Sequence, residues 1–406
     1  MSIEISDSQR QLIDKIAKKN NFDKYEVTTQ AGSTKGDNFM GVLTTVTLNE
    51  AGKTLELIMK AALENEALRK ITPIHEIYLR EIYFYQNVLD SMRRFEEQYN
   101  IERPFAGCPK LYGASKADRS ECFVLENLRS LGYTLWDKKS PMNSGHITAV
   151  LKQYAKFHAI SMAMKYTKPD LFEAVVSKVS KYVFDSPDMQ KDVFETIATT
   201  QMSGAYKAVE GEPEMTEILN FVKEKLVEEV VTRDSSKDEY RLTLIHGDCW
   251  CNNFMFKYDN EANTEAPNNV KIIDWQLSHV SSPAYDFCYF FLANSPKDIL
   301  DDYKSYMKIY YEALAGHLRE FNCDPDDIFS FARFERHVEK FMIHGFFISF
   351  IVMKVMLWDP SEVPDMSKLK EEDFMKSFQA DNTLNNDTFK ERIKNLIVFG
   401  KKLYNK

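Results

Sequence analysis

The segment LIHGDCWCNNFMF, from Leu244 to Phe256, constrains this chain more than any other feature, together with the IIDWQ that follows it. His246, Asp248 and Asn253 stand there in the order H-x-D-x-x-x-x-N, and Asp274 closes the apolar run of IIDWQ. The two apolar runs flank a polar stretch, DNEANTEAPNN, as the strands of a hairpin would. The pattern therefore predicts two loops at strand ends that bring these polar side chains together.

Phosphoryl transfer is a reaction that needs such a set of side chains. It requires a carboxylate that orients the attacking hydroxyl and accepts its proton, and oxygen ligands that hold Mg²⁺ against the nucleotide phosphates. We interpret Asp248 as the catalytic base, and Asn253 and Asp274 as the metal ligands. The arrangement is that of the kinase catalytic loop, with Gly247 where protein kinases often carry arginine. Taken singly, these residues also fit a loop cap, a core histidine and a strand-end turn; their common register favours the site.

The residues before this segment predict a small antiparallel sheet followed by one long helix. Runs rich in β-branched or apolar residues alternate with turn-like stretches, and a later segment carries apolar residues at helical spacing. The predicted strands are 25–30, 40–48, 54–60, 110–114 and 121–125, and the predicted helix is 73–89. We assign residues 1–128 to an N-terminal, nucleotide-binding lobe that ends at a hinge.

Residues 129–406 are predicted to form a larger, mostly helical lobe that holds the catalytic loop and the acceptor pocket. The clearest helical segments are 146–164, 187–208 and 214–231, and the chain is helical again from residue 297. The predicted hairpin, 253–258 and 270–273, lies between them. The fold class is therefore α+β, with the two-lobed protein-kinase-like architecture.

A cation for the phosphates and a carboxylate to position it are expected in the first lobe. Lys60 closes the strand LELIMK, and Glu81 lies beside the apolar stripe of the following helix. Glu76 is on the same helix but near its start, where acidic residues often favour the helix dipole. We therefore predict a Lys60–Glu81 pair of the kinase type.

A glycine-rich loop between the first two strands is the candidate phosphate cover. Gly32, Ser33, Gly36, Asp37 and Asn38 offer backbone N–H groups that can approach phosphate oxygens without a Cβ clash. A plain hairpin turn with no ligand explains the same residues.

The stretch VLENL lies where a kinase hinge would offer backbone groups to adenine. We place Glu126 and Leu128 in that role, although a simple connector is the alternative.

These motifs together resemble a known family. GSTKGDNF, the strand lysine, EIYFY, VLENL, KFHA, IHGDCWCNNFMF and IIDWQ followed by PAYDF are similar to the ecdysteroid-kinase-like family of arthropods, also called CHK-kinase-like. That family is related to choline kinases and aminoglycoside phosphotransferases, and the resemblance runs from about residue 25 to residue 350. It implies ATP and Mg²⁺ as cofactors and a small-molecule hydroxyl as acceptor, with ecdysteroids as the characterised class. Position by position, it implies the same roles for Lys60, Glu81, Asp248, Asn253 and Asp274.

The short interval after Asp274 favours a small acceptor over a protein. Protein kinases place a long regulated segment and an A-P-E motif there, whereas this chain reaches PAYDF after WQLSHVSS. We expect Asp286 of that motif to brace the catalytic loop. Candidate walls for a flat apolar acceptor are Tyr289, Phe290, Phe291, Phe341, Met342, Phe346, Phe347, Phe350 and Met353, for which ordinary core packing is the alternative.

Charge and composition narrow the remaining possibilities. A formal net charge of −9 argues against a nucleic-acid partner, the polar N-terminus lacks a signal-peptide pattern, and six scattered cysteines indicate reduced thiols. We therefore expect a cytoplasmic protein with no obligate protein partner. The apolar run Phe341–Trp358 is interrupted by His344, Ser349 and Lys354, so we predict a buried helix rather than a membrane span. Cys249 and Cys251, beside the base, fit packing better than metal binding or redox sensing.

Two other functions fit the same sequence. One is a choline- or aminoglycoside-type kinase with a polar or cationic acceptor. The other is an inactive protein that kept the fold to bind a hydrophobic ligand.

Overall fold

The computed structural model describes residues 3–33, 41–179, 181, 191–232, 238–260, 264–358, 363–370 and 387–404. Its N-terminal part contains a five-stranded antiparallel sheet in the order β1-β2-β3-β5-β4. The strands are β1 (Glu26–Ala31), β2 (Gly41–Glu50), β3 (Lys53–Ala62), β4 (Leu111–Ser115) and β5 (Cys122–Glu126). All five predicted strands are confirmed to within two residues at each end.

A helix that was not predicted, α1 (Asp7–Lys19), covers one face of this sheet. It begins with a capping box in which Ser6 Oγ accepts from Gln9 N and Gln9 Oε1 accepts from Ser6 N. Because successive side chains of a strand point to opposite faces, Leu57 and Met59 pack in the core with α1. Ile58 and Lys60 lie on the other face, toward the cleft between the lobes.

The predicted long helix is present but is longer and interrupted. After the short α2 (Glu66–Ile71), helix α3 (Ile74–Tyr83) passes into one π-helical turn, Phe84–Val88, and continues as α4 (Leu89–Gln98). A π-turn adds a residue to the helical repeat and changes the direction in which the following side chains point. Here it places Phe84 and Tyr85 in the core between the two parts of the molecule.

The rest of the chain is mostly helical, as predicted. Its helices are α5 (Ser144–Thr167), α6 (Pro169–Val176), α7 (Lys191–Gln201), α8 (Ser203–Ala208), α9 (Pro213–Thr232), α10 (Pro283–Asn294), α11 (Lys297–Asp301), α12 (Tyr303–Glu320), α13 (Pro325–Phe329), α14 (Phe331–Met356) and α15 (Asp387–Tyr404). Helix α5 is central and packs against α12 and α10, while α10 packs along α14. Residues 187–190 of the predicted segment 187–208 lie outside the described residues.

Two small sheets in this helical part set the positions of the loops. The predicted hairpin forms from β8 (Phe254–Lys257) and β9 (Asn269–Ile272), with β6 (Thr134–Leu135) beside it. A second pair, β7 (Thr243–Ile245) and β10 (His279–Ser281), is also antiparallel. Residues 246–253 join β7 to β8, and residues 273–278 join β9 to β10. The two motif-bearing loops therefore lie side by side, between the same two sheets.

The apolar run that resembled a membrane span lies in α14 as far as Met356, where the helix ends. Phe341, Phe346, Phe350 and Met353 are buried in the core of the helical part, which confirms the prediction of a buried helix. Within the described ranges, no helix is long and apolar enough to cross a bilayer.

Candidate active site

Lys60 lines the cleft, between carboxylates from two different parts of the chain. Its Nζ is 2.8 Å from Glu81 Oε2 and 2.8 Å from Asp274 Oδ1. Burial alone would lower the pKa of the ammonium, but the charges of Asp274 and Glu81 outweigh it and raise that pKa above its ordinary value. Lys60 is therefore a fixed positive charge that joins strand β3, helix α3 and the loop after β9.

Of the two glutamates of α3, Glu81 is the one that pairs with Lys60 in the structure, and its role toward a nucleotide stays a prediction. Glu81 is 1% exposed and pairs with Lys60, whereas Glu76 is exposed at the start of the helix. The second oxygen of Glu81 accepts from the backbone N–H of Trp275, at 3.3 Å. The helix is thus bonded directly to the residue that follows Asp274.

An aromatic stack reinforces that bond. The rings of Phe84, in the π-turn, and Trp275 lie 4.0 Å apart at their centroids with an interplanar angle of 9°. Both side chains are fully buried, so the contact adds apolar burial to the hydrogen bond. The π-turn therefore has a local purpose, which is to present Phe84 to the loop after β9.

Asp248 is held by two donors in the loop between β7 and β8. Asn253 Nδ2 donates to its Oδ2 at 2.9 Å and to its backbone carbonyl at 2.8 Å, and Tyr289 OH donates to its Oδ1 at 3.2 Å. Burial, together with the nearby charge of Asp274, raises the pKa of the Asp248 carboxyl. A raised pKa makes this carboxylate a better proton acceptor than an exposed aspartate.

Asp286 braces the same loop from behind, which confirms the structural role expected from its sequence position. Its Oδ2 accepts from His246 N at 2.7 Å and its Oδ1 accepts from Gly247 N at 2.9 Å. His158 of the KFHA motif lies 3.0 Å from Asp286 Oδ2 and 2.7 Å from the hydroxyl of Tyr310. Burial opposes ionisation of Asp286, but the hydrogen bond from His158 prevails and keeps its pKa below the ordinary value.

His246 ties the two loops to each other. Burial lowers the pKa of its imidazole, so the ring is neutral and carries one proton. Its Nε2 lies 3.0 Å from the carbonyl oxygen of Ile273 and its Nδ1 lies 2.8 Å from the hydroxyl of Tyr154. The network is satisfied when Nε2 donates to Ile273 and Nδ1 accepts from Tyr154.

Backbone conformation explains the glycine that replaces the usual kinase arginine. Gly247 has φ +83°, and a Cβ at this position would lie 2.7 Å from the carbonyl oxygen of Leu277. A side chain here would be both strained and in collision with the adjacent loop. Asp274 also has a left-handed backbone, with φ 65°, which turns its carboxylate into the cleft.

The cleft itself has apolar walls and a polar end. Its walls include Leu43, Ile58, Leu125, Leu128, Met255 and Ile273, and its polar end includes Lys60, Glu81, Asn253 and Asp274. Gly32 and Ser33 also line it, and Gly32 packs so closely that a Cβ would lie 2.5 Å from Ile58 Cδ1. Gly36, Asp37 and Asn38 lie outside the described residues.

Glu126 and Leu128, for which the sequence predicts a hinge role, border this cleft. The N–H of Glu126 is bonded to the carbonyl of Lys110, at 2.9 Å, so a contact from Glu126 to adenine would use its carbonyl. Their nucleotide contacts stay a prediction.

The polar end has the donor chemistry of a magnesium site. Asn253 uses its amide N–H₂ to bond Asp248, which leaves its carbonyl oxygen for a ligand, and the Asp274 side chain is 22% exposed toward the cleft. Amide and carboxylate oxygens are the ligands that Mg²⁺ prefers. The residues therefore fit the metal that phosphoryl transfer requires.

Two further predictions have a structural answer. Of the nine candidate acceptor walls, Tyr289 contacts Asp248, whereas the others are core residues or line other surfaces. Cys249 Sγ donates to Asp286 at 3.2 Å, and burial raises the pKa of the Cys251 thiol to about 12. Both thiols are thus buried in protonated form, which favours the packing interpretation.

Sequence reasoning missed several contacts of the site. Asn252 lines the cleft, and its buried Nδ2 has no hydrogen-bond partner within the described ranges; the position of Tyr289 beside Asp248 was not anticipated either. The two consecutive asparagines of the CNN motif were a sequence signal that could have pointed to Asn252. The Tyr289 contact depends on how α10 packs on the loop, which the sequence does not express.

Comparison with known proteins agrees with the resemblance noted in the sequence. A model of the Ecdysteroid kinase-like family matches residues 35–323. Among curated proteins, no match was found. Among solved structures, the GDP complex of a mutant aminoglycoside 2'-phosphotransferase IIIa is similar with 11% sequence identity, a TM-score of 0.40 and coverage of 97% of each chain.

Proposed function

This chain belongs to the ecdysteroid kinase-like family, and from that premise we propose that it transfers the γ-phosphoryl group of ATP to a hydroxyl group of a small molecule. One observation carries the proposal: Lys60 bridges Glu81 and Asp274 at the end of the cleft where Asn253 holds Asp248. Each of these side chains has a separate task in phosphoryl transfer. A protein that only bound a ligand would not need all of them.

The nucleotide is proposed to lie with its base between the apolar walls and its phosphates at the polar end. Lys60, fixed by its two carboxylates, is placed to neutralise phosphate oxygens. Asn253 and Asp274 would hold Mg²⁺, which when bound screens the charge of the phosphates. Because Lys60 is held by the protein before the nucleotide enters, little reorganisation is needed on binding.

Asp248 is proposed to orient the acceptor and to take its proton. As the acceptor oxygen forms a bond to the γ-phosphorus, the bond between that phosphorus and the ADP oxygen breaks, and the hydroxyl proton passes to Asp248. Asn253 and Tyr289 fix the carboxylate during this step. The products are ADP and a phosphate monoester.

A small, apolar acceptor such as an ecdysteroid or another sterol is our first choice. The interval between Asp274 and Asp286 is short, and Asp286 bonds the catalytic loop directly, so a regulated peptide-binding segment has no place between them. A polar or cationic acceptor is the alternative, because the surroundings of Asp248 include a carboxylate and an aromatic ring as well as apolar side chains.

Mass spectrometry can test both the activity and the acceptor class. The protein is incubated with Mg-ATP and separate panels of hydroxylated sterols, choline and aminoglycosides, and products heavier by one phosphoryl group are sought. We expect a sterol phosphate, and we expect Asp248→Asn to lower its rate by about a thousandfold while nucleotide binding is retained. Products only with choline or aminoglycosides would replace the acceptor class; nucleotide binding with no product from any panel or from a metabolite extract would favour an inactive ligand-binding protein.

A further inference from the structure

A second cavity of about 520 Å³ lies in the helical part of the molecule, among α11, α14 and α15. None of its lining residues also lines the nucleotide cleft. Its size is within the range of small-molecule sites in proteins. The proposed kinase activity gives this cavity no role.

Arg392, on α15, is the unusual side chain of this cavity. It is 5% exposed, and its Nη2 donates to the carbonyl oxygen of Ala293 at 2.7 Å. Its Nε and Nη1 are buried and have no hydrogen-bond partner among the residues that the structure describes. A buried guanidinium is normally paired with a carboxylate or fully hydrogen-bonded, because desolvation of an unpaired charge is strongly unfavourable.

A second unsatisfied group lies in the same cavity. The hydroxyl oxygen of Ser295 is buried, with no partner in the described part of the chain, and Ser295 is 4% exposed. Two buried polar side chains with missing partners at one cavity are better explained by a ligand than by folding alone.

The walls and the rim restrict the chemistry of that ligand. Apolar side chains form much of the inner wall, among them Leu300, Met353 and Leu396, which are 0–2% exposed. The exposed rim carries Asp298 and Glu391, which disfavour a multiply charged anion. A third acidic residue, Asp301, is already paired with Lys297 and Lys402, at 2.5 Å each.

We propose that this cavity binds a small monocarboxylate with an apolar body. The carboxylate pairs with the guanidinium of Arg392 and accepts from the Ser295 hydroxyl, and the body lies against the apolar wall. The pairing requires a rotation of the guanidinium toward the cavity, which the missing partners of Nε and Nη1 leave unopposed. A single negative charge satisfies Arg392 without strong repulsion from the rim.

Calorimetric titration of the full chain with octanoate tests the proposal. We expect saturable binding of octanoate, binding of 1-octanol that is about tenfold weaker, and no measurable binding of inorganic phosphate at the same concentrations. Equal binding of octanoate and octanol would overturn the role of the charge. Arg392-dependent binding of phosphate as tight as that of octanoate would overturn the choice of a carboxylate.

Two variants and a matched control complete the test. Arg392→Met removes the charge, and Asn395→Phe fills the cavity from a half-buried position; each should weaken octanoate binding about tenfold or more. Lys394 lies on the same helix but pairs with Glu212 outside the cavity. The variant Lys394→Met therefore removes a cation without changing the cavity, and it should bind octanoate as the unmodified chain does.

A thermal measurement guards against a folding defect in either variant. Octanoate should raise the Tm of the unmodified chain and of Lys394→Met, but not of Arg392→Met or Asn395→Phe. The proposal is overturned if octanoate raises the Tm of a folded Arg392→Met as much as that of the unmodified chain, or if no variant changes the titration.

Discussion

Lys60 and Arg392 are both buried cations, but their surroundings are opposite. Lys60 has two carboxylate partners at 2.8 Å, whereas Arg392 has one backbone carbonyl and two donor nitrogens that no described residue pairs. The first charge is compensated within the protein, and the second is not. The difference teaches that a buried charge is compensated when its partners belong to the fold, so that removing one partner is costly, and that an uncompensated buried charge indicates a missing partner.

Lys60→Met should give the largest loss of stability. It leaves the buried Glu81 and the partly exposed Asp274 without their cation, which we expect to lower the free energy of unfolding by about 3–5 kcal/mol. Urea unfolding followed by circular dichroism measures the change. Lys53→Met, at the exposed start of the same strand, is the control: it loses bonds from Nζ to the carbonyls of Asn20 and Asn21 but leaves no buried charge unpaired, so it should change the free energy of unfolding by less than about 1 kcal/mol. A similarly small change in both variants would contradict the claim that Lys60 compensates the charges of Glu81 and Asp274.

Asp286→Asn extends the comparison to a paired buried anion. The amide leaves one of the two backbone donors, His246 N or Gly247 N, without an acceptor, so we expect a loss of about 2–3 kcal/mol near neutral pH. Because the pKa of Asp286 is lowered in the folded protein, its stabilisation is present above the ordinary aspartate pKa of about 3.9 and is lost as the pH falls toward the folded value. Urea unfolding at several pH values should show the difference between the two proteins shrinking below about pH 4. A difference that does not depend on pH would contradict this.

Gly247→Ala tests the backbone conformation of the loop whose N–H groups bond to Asp286. The new Cβ would lie 2.7 Å from Leu277 O at a backbone φ of +83°, so we expect a loss of about 2 kcal/mol, from strain and collision together. Gly52→Ala is a matched control, because Gly52 has φ +76° with no atom within 4 Å of the added Cβ. It should lose about half as much in the same unfolding assay; equal losses would mean that the contact with Leu277 is relieved by movement of the loop.

Arg392→Met should have the smallest effect on stability, within about 1 kcal/mol in the absence of ligand. The variant loses one hydrogen bond to Ala293 but also removes a buried charge with two unsatisfied donors, and these effects oppose each other. Thermal and urea unfolding measure the balance. A loss as large as that of Lys60→Met would show that the guanidinium is compensated after all.

Much of the fold and of the cleft was predictable because the signals were local. Strand β2 alternates in burial as its sequence does, and Glu81 was preferred to Glu76 from its place beside the apolar stripe of α3. The spacing of Asp248, Asn253 and Asp274 predicted two loops, and these loops lie side by side in the structure. The catalytic and nucleotide roles of these residues stay predictions until activity is measured.

The parts that were missed depend on packing between distant segments. Arg392 donates a hydrogen bond to Ala293, about a hundred residues away in the sequence. Which of its donors lack partners depends on how the helices pack, and the sequence does not show this. Most of the apolar acceptor walls turned out to be core, because an apolar run does not reveal which of its faces a neighbouring helix covers. Helix α1 was an avoidable omission, since Ser6 and Gln9 form a recognisable capping box.

The stack of Phe84 on Trp275 has a consequence for how the protein can be controlled. Many kinases are silenced by swinging the helix that carries the glutamate away from the lysine. Here that movement would have to separate two buried rings and break the bond from Trp275 to Glu81 at the same time. Because this helix is held both at Glu81 and at its π-turn, we do not expect its movement to switch the protein off. We expect the activity to be controlled instead by the concentrations of the molecules that the protein binds.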